Sequence, residues 1–260
     1  MAEDKTKPLG AELLRLHRDP ALLTVVNVWD AISARVVAAV EGTKALATAS
    51  HSIAASYGYA DGENIPVDLM LEAVKRIVDT TDLPVTADLE GGYGDAPEAV
   101  RRAIGIGVVG ANIEDQMKPL SEAVGQVEAI MKVAEQEGVD FVLNARTDPF
   151  HLRRDTHWTE NLAESKKRGL AFLDAGAPVV FVPAFLKDEQ VAELADAFGP
   201  QRLTVIGIPG MPSLARLEDL GVARVSYGPM SQNVALTALQ ELVEDVHRGG
   251  GIPHTMRMLN

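Results

Sequence analysis

Short apolar stretches recur along the whole chain, separated by longer segments in which apolar residues return every three or four positions. The short stretches are rich in Val, Ile and Ala, and their apolar residues are continuous rather than alternating, which is typical of strands buried on both faces of a parallel sheet. We predict eight such strands: Leu23–Val28, Ala45–Ala49, Val85–Leu89, Gly110–Ile113, Phe141–Ala145, Val179–Val182, Leu203–Ile206 and Ala223–Ser226.

The longer segments have broad apolar faces, and glycines follow several of them, as is common at helix ends. Eight strands alternating with helices predict one (β/α)8 barrel of the TIM type, residues 1–260, with a short N-terminal lead and a tail from about residue 249. An open doubly wound sheet shows the same alternation and is the alternative. The predicted helices are Ala31–Val40, Pro66–Thr80, Ala96–Gly105, Ser121–Glu137, Thr159–Ala175, Lys187–Phe198, Ser213–Leu220 and Ser231–Val246.

Composition and net charge exclude several kinds of site and partner. The chain of 260 residues has no cysteine, which excludes disulfides, thiolate metal sites and a cysteine nucleophile or acid. Its net charge of −13 argues against nucleic acid or an anionic membrane as a partner. No apolar run approaches the ~20 residues that cross a bilayer, and the N-terminus lacks the layout of a signal peptide. We therefore expect a cytoplasmic protein.

Polar residues cluster directly after the first five predicted strands. In a parallel barrel these strand ends lie at one mouth, where active sites are built. Charged groups are rarely buried without a counterion, so this many acids at one rim calls for a positive charge. The residues are Trp29 and Asp30, Ser50 to Ser52, Asp88 and Glu90, Glu114 and Asp115, and Arg146 to Asp148.

Three of these acids predict a metal site. Asp88 and Glu90 are two positions apart and so point to one side of a strand, and Glu114 lies on the next strand. Carboxylate oxygens are the ligands that Mg²⁺ prefers. The alternative is that each acid pairs with an Arg or Lys or caps the following helix, as we predict for Asp95.

Arg146 ends the fifth predicted strand and is delivered to the same mouth. Its planar fork suits bidentate capture of a substrate carboxylate. A structural ion pair with Asp148 or Glu114 is an equal alternative on these grounds.

Taken in order, several motifs resemble the isocitrate lyase/phosphoenolpyruvate mutase superfamily. The resemblance covers most of the chain, from about Val25 to the segment around Gly228. The motifs are Asn27-Val28-Trp29-Asp30-Ala31 with Ser33-Ala34-Arg35, the segment from Ala54 to Glu63, Ala87-Asp88-Leu89-Glu90-Gly91-Gly92-Tyr93-Gly94, Asn112-Ile113-Glu114-Asp115 and Asn144-Ala145-Arg146-Thr147-Asp148.

The resemblance implies roles for single residues. Asp88 matches the direct Mg²⁺ ligand, with Mn²⁺ as a possible substitute, and Arg146 matches the arginine that binds the substrate carboxylate. Trp29 matches a residue that lines the pocket. The acids that hold the metal largely through its waters are Asp61, Glu90 and Glu114, and the turn that holds the oxo or enolate oxygen is Thr48-Ala49-Ser50.

The chain also departs from the resemblance. Lyases that cleave isocitrate or methylisocitrate carry a cysteine acid in the gating loop after the fourth strand, and phosphonate members use an asparagine there. The corresponding segment, Asp115 to Val124, has neither residue. The role of Met117–Val124 is therefore left open.

We hypothesise a Mg²⁺-dependent lyase or decarboxylase that breaks a C–C bond of a small 2-oxo acid of the oxaloacetate type through a metal-stabilised enolate. Arg146, Ser50 and Glu114 are the candidate catalytic residues. Phosphonopyruvate mutase or hydrolase chemistry is one alternative, and a barrel that binds 2-oxo acids without turnover is another. The resemblance further implies a homodimer or homotetramer in which the C-terminal helix is exchanged between subunits.

Overall fold

The computed structural model of the chain describes residues 5–259. Its strands form one parallel sheet in the order β1-β9-β8-β7-β6-β5-β4-β3-β2. The strands are β1 Leu23–Val25, β2 Asn27–Val28, β3 Leu46–Thr48, β4 Val85–Asp88, β5 Gly110–Glu114, β6 Val142–Arg146, β7 Val179–Val182, β8 Leu203–Ile206 and β9 Arg224–Ser226.

Helices follow most of the strands and cover the outside of the sheet. Each of the eight predicted helices is present, with bounds within two residues of the prediction. Asp95 caps its helix as predicted, because its side chain accepts a hydrogen bond from the amide of Glu98. The helices are α1 Thr6–Arg18, α2 Ala31–Ala38, α3 Ser50–Ser56, α4 Val67–Val78, α5 Ala96–Gly105, α6 Leu120–Glu137, α7 Pro149–Leu152, α8 Trp158–Asp174, α9 Asp188–Phe198, α10 Leu214–Asp219 and α11 Met230–His247.

The first strand of the barrel differs from the prediction. The sequence predicts one strand over Leu23–Val28, but the strand is interrupted at Val26. As a result, β1 pairs with β9 and β2 pairs with β3. Asn27 closes this seam with its side chain, donating to the carbonyl of Thr48 over 2.8 Å and accepting from the amide of Tyr227 over 2.7 Å. The fold is therefore a nearly closed barrel, and the open doubly wound sheet is excluded.

Two short helices, α3 and α7, were missed by the sequence analysis. α3 consists mainly of Ser and Ala and has no apolar stripe, and α7 is only four residues long, so neither shows helical periodicity. Both begin directly after strands, and they place His51 and His151 near the mouth. The amino end of the barrel is covered by α1, which buries Leu13, Leu16 and His17.

The last helix is packed differently from the others. Within α11 only Gln232 is buried, and from Asn233 to His247 every residue is exposed except the half-buried Leu242. A helix that follows the last strand of such a barrel ordinarily packs against the outside of the sheet. Here α11 leaves a long apolar surface uncovered.

Candidate active site

Strands β4, β5 and β6 bring three predicted site residues to one edge of the barrel. Asp88 is paired in register with Asn112, and Glu114 is paired with Arg146. Residues paired in a parallel ladder project to the same side, so the three charged side chains converge at the carboxyl end. The structure thus places the three residues together at the mouth.

Asp88 is held by the turn that follows β3. Its Oδ2 accepts from the amide of Ser50 over 3.2 Å and from the Ser50 hydroxyl over 2.8 Å. Its own amide donates to the hydroxyl of Thr48 over 3.0 Å. The other carboxylate oxygen, Oδ1, is buried and has no hydrogen-bond partner within residues 5–259. A buried oxygen of this kind is costly to leave unpaired, so the site lacks a donor or a cation at this point.

Glu90 is buried, and its carboxylate is hydrogen-bonded to neighbouring residues of the chain. Its φ of 53° is left-handed and its side chain is 2% exposed. The carboxylate accepts a short bond from the amide of Glu63 and a bond of 3.1 Å from the Tyr93 hydroxyl. Burial raises the pKa of Glu90 to about 7. The hydrogen bond from Glu63 opposes this shift, and the charge of Asp88 adds to it.

Glu114 and Arg146 form an ion pair across β5 and β6. The Nη1 of Arg146 lies 2.5 Å from Oε1 of Glu114, and its Nε lies 2.7 Å from Oδ1 of Asp148. Burial raises the pKa of Glu114 to about 8 even though Arg146 opposes the shift, and the nearby carboxylates Asp148 and Asp88 raise it further. Both ion pairs considered for Arg146 are therefore present, and its fork is oriented by them.

The rim between β5 and α6 is held by a buried ionic network. Oδ1 of Asp115 accepts from the amide of Asp148 over 3.2 Å, and Oδ2 of Asp115 lies 3.1 Å from Nη1 of Arg168 on α8. Oδ2 of Asp148 accepts from the amide of Gln116 over 2.8 Å. Arg168 was missed by the sequence analysis because one arginine within a polar helical segment carries no signal of burial.

This rim also contains backbone strain. Gln116 and Met117 are consecutive non-glycine residues with φ of 48° and 54°. Each left-handed residue costs on the order of 1 kcal/mol and persists only where the surroundings fix it. The network described above supplies that fixation.

The four predicted metal ligands are not gathered into a ready-made cage. Among residues 5–259 no three acidic or histidine side chains are placed to hold an ion. Nevertheless the charges of Asp88 and Asp61 both raise the pKa of Glu90, and those of Asp88 and Glu90 raise that of Glu114. The acids therefore share one region, which the guanidinium groups of Arg146 and Arg224 also face, although Asp61 itself is exposed.

The remaining predicted residues lie close to the mouth or behind it. Ala49 is buried and precedes α3. Trp29 is half-buried and lines an apolar groove between α2 and the start of α11. His151, which carried no pattern in the sequence, lies within electrostatic range of Arg146, Asp148 and Asp61, and its pKa is lowered mainly by burial.

A comparison with known families decides the assignment. The sequence model described as phosphoenolpyruvate phosphomutase matches residues 13–247. The chain belongs to the isocitrate lyase/phosphoenolpyruvate mutase superfamily. This confirms the resemblance that the motifs indicated.

Individual members of the superfamily cover nearly the whole chain. An uncharacterised protein of Mycobacterium tuberculosis is 30% identical over 93% of this chain and 91% of its own length. The 2,3-dimethylmalate lyase of Eubacterium barkeri is 26% identical over 90% of this chain and 84% of its own. A solved structure from Burkholderia cenocepacia, provisionally assigned as a phosphonomutase, is 39% identical with a TM-score of 0.86, covering 94% of this chain and all of the other.

The superfamily assignment supports an enzyme of the lyase or mutase type. Within residues 5–259 no helix is long and apolar enough to cross a membrane.

Proposed function

We propose that the chain is a lyase or decarboxylase that breaks a C–C bond of a small 2-oxo acid of the oxaloacetate type, assisted by Mg²⁺ or Mn²⁺. The observation that carries this proposal is the unpaired Oδ1 of Asp88, buried beside Glu90 and Glu114, whose pKa values are raised to about 7 and 8. Acids that cannot all ionise together in one pocket are stabilised by a cation.

The donor set fits a hard divalent cation. Asp88 would bind it directly through the unpaired oxygen, and Asp61, Glu90 and Glu114 would surround it, because oxygen donors and retained waters are what Mg²⁺ prefers. When bound, the cation would polarise the oxo group of the substrate.

The chain's own groups would bind and orient the substrate. Arg146, already oriented by Asp148 and Glu114, would turn its fork to the substrate carboxylate. The Ser50 amide and hydroxyl, which now donate to Asp88, would be available to an oxygen that gains negative charge. Thr48 and Ala49 would fix this turn, and Trp29 would line the pocket.

Glu114 would hold the proton at the site. Its pKa, raised to about 8 mainly by burial, would suit it to take up or release a proton near neutral pH. Because the chain has no cysteine, a thiol acid is not available to this site.

The direct experiment is a turnover assay with a panel of 2-oxo and 2-hydroxy acids, with and without Mg²⁺, for the wild type and Asp88→Ala. We expect Mg²⁺-dependent release of a smaller oxo acid such as pyruvate, lost in Asp88→Ala. Absence of turnover across the panel would contradict the proposal.

Cleavage of a C–P bond is the second candidate function. The 39% identity to the Burkholderia protein provisionally assigned as a phosphonomutase favours it. Phosphonopyruvate in the same panel separates the two candidates, since its turnover releases or rearranges phosphate. Tight binding of oxalate without any product would instead indicate a barrel that binds oxo acids only.

We further propose that the chain assembles as a homodimer or homotetramer in which α11 packs on a second copy. The helix exposes an apolar face, and an apolar groove of about 610 Å³ lies beside its first turn. Light scattering should give a mass of at least twice that of one chain, and a monomer would contradict this proposal. The exposed apolar residues of α11 are Val234, Leu236, Leu239, Val243 and Val246.

A further inference from the structure

The connection between β5 and α6 is a fixed rim rather than a flexible loop. It spans only residues 115–119. The amide of Asp115 donates to the carbonyl of Arg146 over 3.1 Å, and that of Gln116 donates to Oδ2 of Asp148 over 2.8 Å. The amide of Met117 donates to Oδ1 of Asp115 over 2.9 Å, and that of Lys118 donates to the carbonyl of Asp115 over 2.9 Å. Since residue 119 is a proline, every amide of the rim is bonded.

Arg168 ties this rim to helix α8. Its side chain is 5% exposed, and each of its three nitrogens has a different partner. Nη1 lies 3.1 Å from Oδ2 of Asp115, Nη2 donates to the carbonyl of Lys118 over 2.9 Å, and Nε donates to Oε1 of Glu164 over 2.9 Å. One guanidinium therefore holds both ends of the 115–118 segment.

The contacts continue from Arg168 to the guanidinium of Arg146. Asp115, held by Arg168, accepts from the amide of Asp148 over 3.2 Å. The carboxylate of Asp148 is fully buried and accepts from Nε of Arg146 over 2.7 Å. Rigid, fully bonded supports of this kind fix the geometry of a side chain that meets a ligand.

The rim also touches the turn that follows β4. A Cβ atom placed on Gly91 would lie 2.1 Å from Nε2 of Gln116, so the Gln116 amide rests directly on the backbone next to Glu90. The rim thus contacts both sides of the mouth.

We propose that Arg168 is a positioning residue that fixes the 115–118 rim and, through Asp115 and Asp148, holds Arg146 in the orientation that receives the substrate carboxylate. This inference rests on the proposed function, because it assigns Arg146 to the carboxylate. Arg168 itself is separated from the mouth by Asp115 and touches no reacting atom.

The test measures two properties of wild type, Arg168→Lys, Arg168→Met and the control Arg216→Met. The first is amide hydrogen exchange of residues 115–118, and the second is oxalate affinity by calorimetry in the presence of Mg²⁺. Arg216 is a suitable control because it also pairs with a carboxylate, Asp188 at 2.7 Å, but both partners are exposed and far from the rim in the fold.

We expect Arg168→Met to accelerate exchange of the rim amides at least tenfold and to weaken oxalate binding at least tenfold. Arg168→Lys keeps the charge but not the three-way fork, so it should recover part of both effects. Arg216→Met should match the wild type in both measurements.

Each other outcome is decisive. The inference would be overturned if the amides of residues 115–118 exchanged at the wild-type rate in Arg168→Met. It would also be overturned if these amides exchanged faster but oxalate affinity did not change, because Arg168 would then have a purely structural role. If Arg168→Met does not fold, Arg168→Lys decides by the same two measurements. A wild type that binds no oxalate would count against the proposed function, whereas a wild type that binds and an Arg168 variant that binds equally well count against this inference alone.

Discussion

The two sides of the barrel mouth are built in opposite ways. On the β5–β6 side, Asp115, Asp148, Arg146 and Arg168 pair carboxylates with guanidinium groups and amides. On the β4 side, the carboxylate of Asp88 leaves one buried oxygen unpaired within residues 5–259. One side is thus a self-contained support, whereas the other leaves a buried acceptor that the cation we propose would satisfy.

The largest effect is expected from the incomplete side. Asp88→Ala removes the carboxylate that carries the unpaired oxygen, and turnover should fall at least about 10²–10³-fold, the loss typical of removing one preorganised electrostatic group. The variant also loses a charge that faces the buried guanidinium of Arg224, so its free energy of unfolding should fall while the barrel remains folded. Steady-state assays and circular dichroism would check both parts, and a variant with wild-type turnover would break the comparison.

On the supported side, Arg146→Lys should raise KM more than it lowers kcat. Lysine keeps the charge but cannot bond Asp148, Glu114 and a substrate carboxylate at once, and a charged hydrogen bond is worth about 1.5–3 kcal/mol. This corresponds to a KM increase of roughly 10–100-fold. An unchanged KM would show that Arg146 serves only as an internal ion pair.

The acids should also give the apo protein an unusual pH dependence. The pKa values of Glu114 and Glu90, about 8 and 7 in the folded chain, lie above the ordinary 4.5. At pH values between the ordinary pKa and the raised pKa, the folded state holds a proton that the unfolded state has lost. The free energy of unfolding therefore falls as pH rises, by up to about 1.4 kcal/mol per pH unit for each group.

Urea unfolding in a chelator at several values from pH 5 to pH 8 would measure this fall. Glu114→Gln should flatten it, and added Mg²⁺ should reduce it, because the cation favours the ionised acids. Stability that rises over this range would contradict the assignment of the raised pKa values.

The smallest effect is expected at the strained rim. Met117→Gly relieves a left-handed residue, φ 54°, but makes the unfolded chain more flexible, and the two effects of about 1 kcal/mol each offset one another. Thermal unfolding should therefore shift by less than about 1 kcal/mol in stability. A larger loss would mean that the Met117 side chain itself supports the rim.

Most of the barrel could be predicted because buried parallel strands are continuously apolar and their ends are polar. The bounds of β7, β8 and α5 were predicted without error. The interruption at Val26 could not be predicted, because it depends on hydrogen bonds between Asn27 and two segments that are distant in sequence.

The site was predicted unevenly for the same reason. Asp88, Glu114 and Arg146 are visible because each ends a strand. Arg168 and Glu63 are not, because their partners, Asp115 and Glu90, come from segments 53 and 27 residues away. Left-handed residues such as Gln116 give no sequence signal at all when they are not glycine.

The central claim is that the β4 side of the mouth is completed by a hard divalent cation at Asp88. Titration of the purified chain with Mn²⁺, followed by electron paramagnetic resonance, tests it without reference to any substrate. We predict one tightly held Mn²⁺ per chain, displaced by Mg²⁺ and lost in Asp88→Asn. No uptake by the wild type, or equal uptake by Asp88→Asn, would contradict the account.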